Sequence, residues 1–133
     1  MDKNSFLTVR INGDDIPILC SLSVLEKIQE KYGSIEEYAN RICKTKENEN
    51  GERVFADDLP DVAAIYYTLP LMIDEGVTVY NEERKIKMDA LKPEYIYRHY
   101  ETPLRLIGWT LYQELMRSIH APKRQPLTET NRK

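Results

Sequence analysis

The sequence predicts a mainly α fold with a small N-terminal β-hairpin, an α+β class in which about five helices form a compact bundle packed on the hairpin. Two observations support this prediction. Residues 5–20 alternate between apolar and polar positions around the pair Asn12-Gly13, which is typical of two antiparallel strands. From residue 23 to 121, apolar residues recur every three or four positions instead, which is typical of helices with one buried face.

The predicted hairpin turns at Asn12-Gly13, because both residues tolerate the positive φ that a tight turn requires. Asp14 and Asp15 follow directly, so the loop has either two or four residues. Pro17 has no N–H, so its strand lies at an edge or its nitrogen points away from the neighbouring strand. A lone hairpin is only marginally stable, and we therefore expect helices to cover its apolar face.

Two helices are predicted to begin at Ser23 and Ser34, because each serine is followed three residues later by a glutamate, as in a capping box. Gly33 lies where the first of them should end in a left-handed residue. Residues 44–53 contain no apolar side chain and predict a solvated loop. A binding loop is the alternative, and we favour the plain connection.

The central helix is predicted over residues 59–75, with an extension to residue 81 left open. Asp57 or Asp58 is its predicted cap. Pro70 removes a backbone donor and crowds the preceding turn, so we expect a kink there or two separate segments.

Two further helices complete the bundle. One is predicted from Pro93 to about Tyr100, and the last begins after a capping Thr102. Gly108 in the last helix should allow another backbone to approach closely, and Pro122 should end the helix. We expect residues 1–121 to form one globular domain.

Residues 122–133 are predicted to form a flexible tail that carries four basic side chains and one acidic side chain. The whole chain has 19 basic and 22 acidic residues and a formal net charge of -3, which does not favour nucleic acid or an anionic membrane as a partner. No uninterrupted apolar run approaches the roughly 20 residues of a membrane span. We therefore expect a cytoplasmic protein.

The sequence gives no sign of catalysis or of a cofactor. It lacks the phosphate-binding, zinc-protease and serine-nucleophile motifs. Its acidic pairs fall at turns, in first helical turns or in a polar connector, where capping, the helix dipole or solvation explains them. Cys20 and Cys43 are far apart and are expected to be free and buried. With His99 and His120 they form no zinc-ligand spacing, so no metal is expected.

The aromatic composition is unusual, with nine tyrosines and two phenylalanines. Tyrosine buries a large ring but keeps a hydroxyl for water or a partner, so it is favoured both at the rim of a core and at interfaces. Both interpretations stay open. The candidate partner-binding residues lie on the last two helices and are Tyr95, Tyr97, Tyr100, Leu104, Ile107, Leu111 and Leu115.

Three segments together resemble a known family. They are Val9-x-Ile11-Asn12-Gly13-x-x-Ile16-Pro17, a capped stretch over residues 21–38, and Met72-Ile73-Asp74-Glu75-Gly76-Val77-x-Val79-Tyr80-Asn81. This combination resembles the tail assembly chaperones of tailed bacteriophages and prophages of low-GC Gram-positive bacteria. Pro70 departs from the uninterrupted central helix that the resemblance implies.

The resemblance implies a non-catalytic protein of the bacterial host cytoplasm that is absent from the mature virion. Such proteins bind the aggregation-prone, helical tape measure protein and help to recruit tail tube proteins. A homo-oligomer is compatible with this class. The alternatives are a structural or adaptor protein of the tail or head–tail junction that stays in the virion, and, less favoured, a small regulator that binds nucleic acid through the basic tail.

Overall fold

The computed structural model describes residues 5–56, 58–120 and 122–124, and within them it confirms the mainly helical α+β class. In this described part of the chain, five helices surround a core, and two separate two-stranded antiparallel sheets accompany them. In chain order the elements are β1 (Thr8–Ile11), β2 (Asp14–Pro17), α1 (Leu22–Tyr32), α2 (Ile35–Ile42), β3 (Thr45–Glu47), β4 (Arg53–Phe55), α3 (Val62–Arg84), α4 (Pro93–His99) and α5 (Leu104–His120). We call β1–β2 the first hairpin and β3–β4 the second hairpin.

The first hairpin has a two-residue loop, which resolves the two alternatives left by the sequence. Asn12 and Gly13 have φ values of 47° and 88°, and Ile11 pairs directly with Asp14. Both central residues therefore adopt the left-handed conformation that matches the twist of the strands.

Pro17 lies opposite Thr8 at the outer edge of β2. The N–H and the carbonyl of Arg10 form hydrogen bonds with Thr102 and Glu101, which lie outside the hairpin. In an antiparallel ladder the backbone groups of every second residue point to the same side, so the backbone groups two residues away from Arg10 also point outward. Thr8 and its partner Pro17 belong to that outward set. The missing N–H of Pro17 therefore costs the hairpin no ladder hydrogen bond.

Helix α1 has its cap two residues earlier than predicted. Ser21 is its cap, with extended backbone angles and a hydroxyl that accepts a hydrogen bond from the Val24 N–H (3.3 Å). Ser23 lies inside the helix, so the predicted capping role for Ser23 is wrong. Because Ser21 already satisfies a first-turn donor, the helix does not need the later serine.

Helix α2 confirms its predicted start. The Ser34 hydroxyl accepts from the Glu37 N–H (3.0 Å), as a capping serine should. Gly33 ends α1 at a φ of 86° and donates its N–H to the Gln29 carbonyl (2.8 Å). The sharp turn between the helices is therefore set by the glycine and the serine together.

The second hairpin corrects the loop predicted over residues 44–53. Thr45–Glu47 pairs with Arg53–Phe55, and the connecting turn is ordered by one side chain. The Asn48 side-chain oxygen accepts from the N–H groups of Asn50 and Glu52, both at 2.9 Å. The loop was predicted because residues 44–53 contain no apolar side chain. Hydrogen bonds from the backbone to the Asn48 side chain order the turn without such a side chain.

Helix α3 also starts and ends elsewhere than predicted. Its cap is Asp61, whose carboxylate accepts from the Ala63 N–H (3.0 Å), so the prediction of Asp57 or Asp58 is wrong. Asp58 is exposed, and Asp57 lies outside the described residues. The helix continues through Pro70 to Arg84 as one element, which excludes the second of the two alternatives, a kink or two separate segments.

Gly76 explains how α3 packs on the first hairpin. A Cβ at this position would lie 2.3 Å from the Pro17 carbonyl oxygen, which is closer than atoms can approach. The Leu19 N–H also donates to the Met72 carbonyl of α3 (2.9 Å). The outer edge of β2 is therefore covered by α3, at a position that requires glycine.

By length and composition, α3 is the one helix of the described chain that is long and apolar enough to cross a membrane. The sequence had suggested no such segment. Central helices of soluble proteins meet the same criteria, and 44% of the apolar window of α3 is buried within the protein.

The last two helices begin near the predicted positions. α4 starts at Pro93 as predicted, and α5 starts at Leu104. The Thr102 hydroxyl, predicted as a cap, accepts from the Arg10 N–H of β1 (2.8 Å). Gly108 confirms its predicted role, because a Cβ there would lie 2.3 Å from the Ile42 carbonyl oxygen of α2.

The described start of the C-terminal tail contacts the domain. The Arg124 guanidinium pairs with Glu83 near the end of α3 (2.6 Å) and lies over the Phe6 ring, 3.9 Å from its centroid. Residues 125–133 of the predicted flexible tail lie outside the described residues.

Candidate partner-binding groove

An apolar groove of about 280 Å³ opens between α3, α4 and α5. Its floor is buried and aliphatic, whereas its rim carries tyrosines and exposed apolar side chains. The lining residues are Val62, Ile65, Tyr66, Leu69, Ile96, Tyr97, Tyr100, Leu104 and Ile107. A concave apolar surface with a few polar atoms at its rim is typical of a binding site.

The structure divides the seven candidate residues into three groups. Tyr97, Tyr100, Leu104 and Ile107 line the groove, with Ile107 at its buried floor. Leu111 and Leu115 are fully buried, because the stripe of α5 that carries them is the face with which the helix enters the core. Tyr95 points instead to the first hairpin, where its hydroxyl accepts from the Asn12 side-chain amide (2.7 Å).

Tyr97 is held in the groove by a consequence of Pro70. A proline inside a helix leaves the carbonyl four residues earlier without its usual N–H partner, which in α3 is the carbonyl of Tyr66. The Tyr97 hydroxyl donates to this carbonyl oxygen (3.1 Å). A side chain from α4 thus satisfies the acceptor that Pro70 leaves open in α3.

The rings of Tyr66 and Tyr97 reinforce this contact. They stack with centroids 3.9 Å apart and planes 14° from parallel. Partial burial, and then the neighbouring Tyr66, raise the pKa of the Tyr97 hydroxyl above its ordinary value, so it remains a donor at neutral pH. This contact had a signal in the sequence, because Pro70 cannot donate a hydrogen bond to the carbonyl of residue 66 and so leaves that carbonyl free for another donor.

Residues 99–102, at the end of α4 and just after it, close the outer edge of β1. The Asn12 N–H donates to the His99 carbonyl (2.9 Å), and the Glu101 N–H donates to the Arg10 carbonyl (2.8 Å). The Glu101 carboxylate also accepts from the Gly13 N–H (2.9 Å). The same segment therefore forms one wall of the groove and fixes that wall to the first hairpin.

Beneath the groove, the core contains two polar groups with partners. The Thr68 hydroxyl donates to the Ala64 carbonyl (2.9 Å), so it accepts from the Tyr38 hydroxyl, 2.6 Å away. Burial raises the pKa of Tyr38, and this hydroxyl remains protonated. The buried hydroxyl pair fixes α2 against α3.

Glu114 is a buried residue that the sequence did not single out. Its carboxylate accepts from the Cys20 N–H (2.8 Å) and from the Arg117 guanidinium (2.6 Å), and Arg117 in turn donates to the Pro122 carbonyl. Burial raises the pKa of the nearby Cys20 thiol to about 12. The network links the end of the first hairpin to the C-terminal end of α5.

The described lining of the groove consists of aliphatic and tyrosine side chains. The His99 ring packs against Tyr95 on the hairpin side, with centroids 4.5 Å apart. Among residues 5–56, 58–120 and 122–124, no three His, Cys, Asp or Glu side chains lie close enough together to hold a metal ion. What the arrangement supplies is an aliphatic floor and tyrosine hydroxyls at the rim.

Comparison with known proteins found no matching family model, no matching curated protein and no matching solved structure. Fold and groove together define a class, a small α+β protein with an open, tyrosine-rimmed apolar groove between three of its helices.

Proposed function

We propose that this protein is a phage tail assembly chaperone that binds the tape measure protein in the bacterial host cytoplasm and helps to recruit tail tube proteins, without catalysing a reaction. The proposal joins the family resemblance of residues 9–17, 21–38 and 72–81 to a single structural observation, which is the open apolar groove between α3, α4 and α5.

The groove has the chemistry that an amphipathic helix requires of its acceptor. A buried floor of aliphatic side chains takes up the apolar face of a helix, and rim tyrosines remain in contact with water when the groove is empty. Val62 on α3 and Tyr100, directly after α4, are both exposed and both line the groove, so a bound helix would cover both. An aggregation-prone helical partner would be kept soluble because its apolar stripe is covered.

Co-expression with a fragment of the tape measure protein tests this function. We expect the fragment to be insoluble alone and soluble in a complex with the full chain. A fragment that stays insoluble when the chaperone is abundant and folded would contradict the proposed function itself.

A matched pair of variants tests the groove separately. Val62→Glu places a charge at the rim and should abolish solubilisation, because binding would bury that carboxylate without a partner. Leu22→Glu introduces the same side chain at a more exposed leucine outside the groove, at the start of α1, where a carboxylate is tolerated. If both variants solubilise the fragment equally, the partner binds elsewhere.

Mass spectrometry of purified virions tests whether the protein is absent from the mature virion, as expected of a tail assembly chaperone. We expect no peptides from this chain beside abundant tail tube peptides. Its recovery in amounts comparable to a tail protein would instead favour a structural or adaptor role.

A further inference from the structure

The second hairpin exposes both of its edges. In its ladder the Ala56 N–H donates to the Lys44 carbonyl and the Asn48 N–H donates to the Glu52 carbonyl, both at 2.9 Å. Since bonded pairs alternate with unbonded pairs, the backbone groups of β3 and β4 that point outward belong to residues 45, 47, 53 and 55. None of these backbone groups has a hydrogen-bond partner among the described residues. Such an edge is a template for another strand.

An apolar surface lies beside the β4 edge. The Phe55 side chain is 54% exposed, and its ring meets the Trp109 ring of α5 edge to face, with centroids 4.6 Å apart. The two rings border an open groove of about 380 Å³ between the second hairpin and α5, which Cys43 and Pro60 also line. A strand added to β4 would therefore gain apolar contacts as well as backbone hydrogen bonds.

We propose that β4 pairs antiparallel with β4 of a second copy of this chain, with Val54 on the two-fold axis. This register aligns the whole of Arg53–Phe55 with itself and forms a four-stranded sheet in the order β3-β4-β4-β3. Val54 faces Val54 of the second copy in an unbonded pair. Arg53 faces Phe55 of the second copy in the two bonded pairs that flank it.

The side chains favour self-pairing through β4 over self-pairing through β3. Aligning Thr45–Glu47 with itself places Lys46 opposite Lys46, and like charges directly opposite one another destabilise a sheet. The β4 register places no like charges directly opposite one another and brings a guanidinium beside an aromatic ring. Because the contact uses the same surface on both copies, it closes at a dimer.

Disulfide trapping tests the register. In an unbonded antiparallel pair the Cα atoms lie about 4.5 Å apart, within the range of about 4.4–6.8 Å that a disulfide spans. In a Cys43→Ala background, Val54→Cys should form a covalent dimer on mild oxidation. Lys46→Cys is the matched control on the neighbouring strand, about 14 Å from its counterpart at three strand spacings. It should stay monomeric.

Proline substitution tests the edge. Phe55→Pro removes the outward N–H and the ring from β4, whereas Thr45→Pro removes the outward N–H of β3. Neither breaks a backbone hydrogen bond of the ladder, and Thr45→Pro also removes the hydroxyl that accepts from the Arg53 guanidinium (2.6 Å). By sedimentation equilibrium we expect a dimer whose population grows with concentration for the wild type and Thr45→Pro, and a monomer for Phe55→Pro with unchanged circular dichroism.

Three results would overturn the proposal. They are a wild-type chain that is monomeric at every concentration, a Phe55→Pro variant that dimerises as the wild type does, and equal trapping of the two cysteine variants. The trapping variant changes only Val54 within β4. The trapping experiment therefore tests the dimer even if the proline variant does not fold.

Discussion

The two hairpins are equally simple in connection and differ in what surrounds them. Val9 and Ile16 of the first hairpin are buried, and its edges are covered by α3 on one side and by residues 99–102 on the other. The second hairpin has half-buried or exposed strand residues and two open edges. A two-stranded sheet is marginal alone. The comparison shows that tertiary cover, more than strand pairing, makes a hairpin part of the core.

The largest effect is expected where the cover of the first hairpin is closest. Gly76→Ala should destabilise the fold by about 3 kcal/mol or more, because the added methyl group meets backbone atoms of β2 and of the residue after it. Chemical unfolding measures the loss. Thr78→Ala, an exposed position on the same helix, is the control and should change stability by no more than about 0.5 kcal/mol. Equal losses would mean that α3 does not seal this edge.

The same chemical change in both hairpins tests the comparison directly. Val9→Ala removes two buried methyl groups from β1 and should cost about 2 kcal/mol, counting the cavity that remains. Val54→Ala in β4 is only half-buried and should cost about 0.5 kcal/mol. Equal unfolding free energies for the two variants would show that the second hairpin is as integral to the core as the first.

An intermediate effect is expected at the junction between the second hairpin and α3. Asp61→Ala removes the helix cap and the ion pair with Arg41, and should cost about 1 kcal/mol at neutral pH. The hydrogen bond from Arg41 lowers the pKa of Asp61, so this stabilisation is present above the ordinary carboxyl pKa and is lost as the pH falls through the lowered value.

Unfolding measured from neutral to strongly acidic pH should therefore show the Asp61→Ala variant and the wild type converging at low pH. Asp58→Ala is the control, because Asp58 is the exposed acid that the sequence suggested as the cap. A loss at Asp58 equal to that at Asp61 would contradict the cap that the structure assigns.

The smallest effect is expected from the hydroxyl that connects α4 to α3. Tyr97→Phe leaves the Tyr66 carbonyl without this donor, and since the site is partly open to water the cost should be about 1 kcal/mol or less. Tyr95→Phe removes the hydroxyl that accepts from Asn12 at the surface and should cost less still. If Tyr95→Phe costs more stability than Tyr97→Phe, the contact of α4 with the first hairpin contributes more to the fold than the contact of α4 with α3.

The sequence predicted those features whose cause is local. The Asn12-Gly13 turn, the Ser34 cap and the Gly33 terminator each depend on the conformational preferences of one or two residues, and all three are found. The position of the α3 cap could not be chosen from sequence, because Asp57, Asp58 and Asp61 all satisfy the same local rule.

Features that depend on contacts between distant segments were missed. The second hairpin contains little apolar periodicity, and its turn is ordered by the Asn48 side chain. Glu114 lies on the buried side of α5 because Arg117 and the Cys20 N–H are its partners, whereas a charged residue in a helical pattern suggests a solvated position. Within the candidate groove, Tyr97 and Tyr100 were identified from sequence, but Tyr66 and Val62 on the facing helix were not.

The closure of the first hairpin also sets an order of events during translation. The hydrogen bond from the Arg10 N–H to Thr102 joins residues that are 92 positions apart. The hairpin therefore leaves the ribosome with its β1 edge bare and keeps it bare until most of the chain has been made. Over that interval the nascent protein exposes a strand edge that the finished protein hides, and any factor that meets it during synthesis encounters a different surface from the folded one.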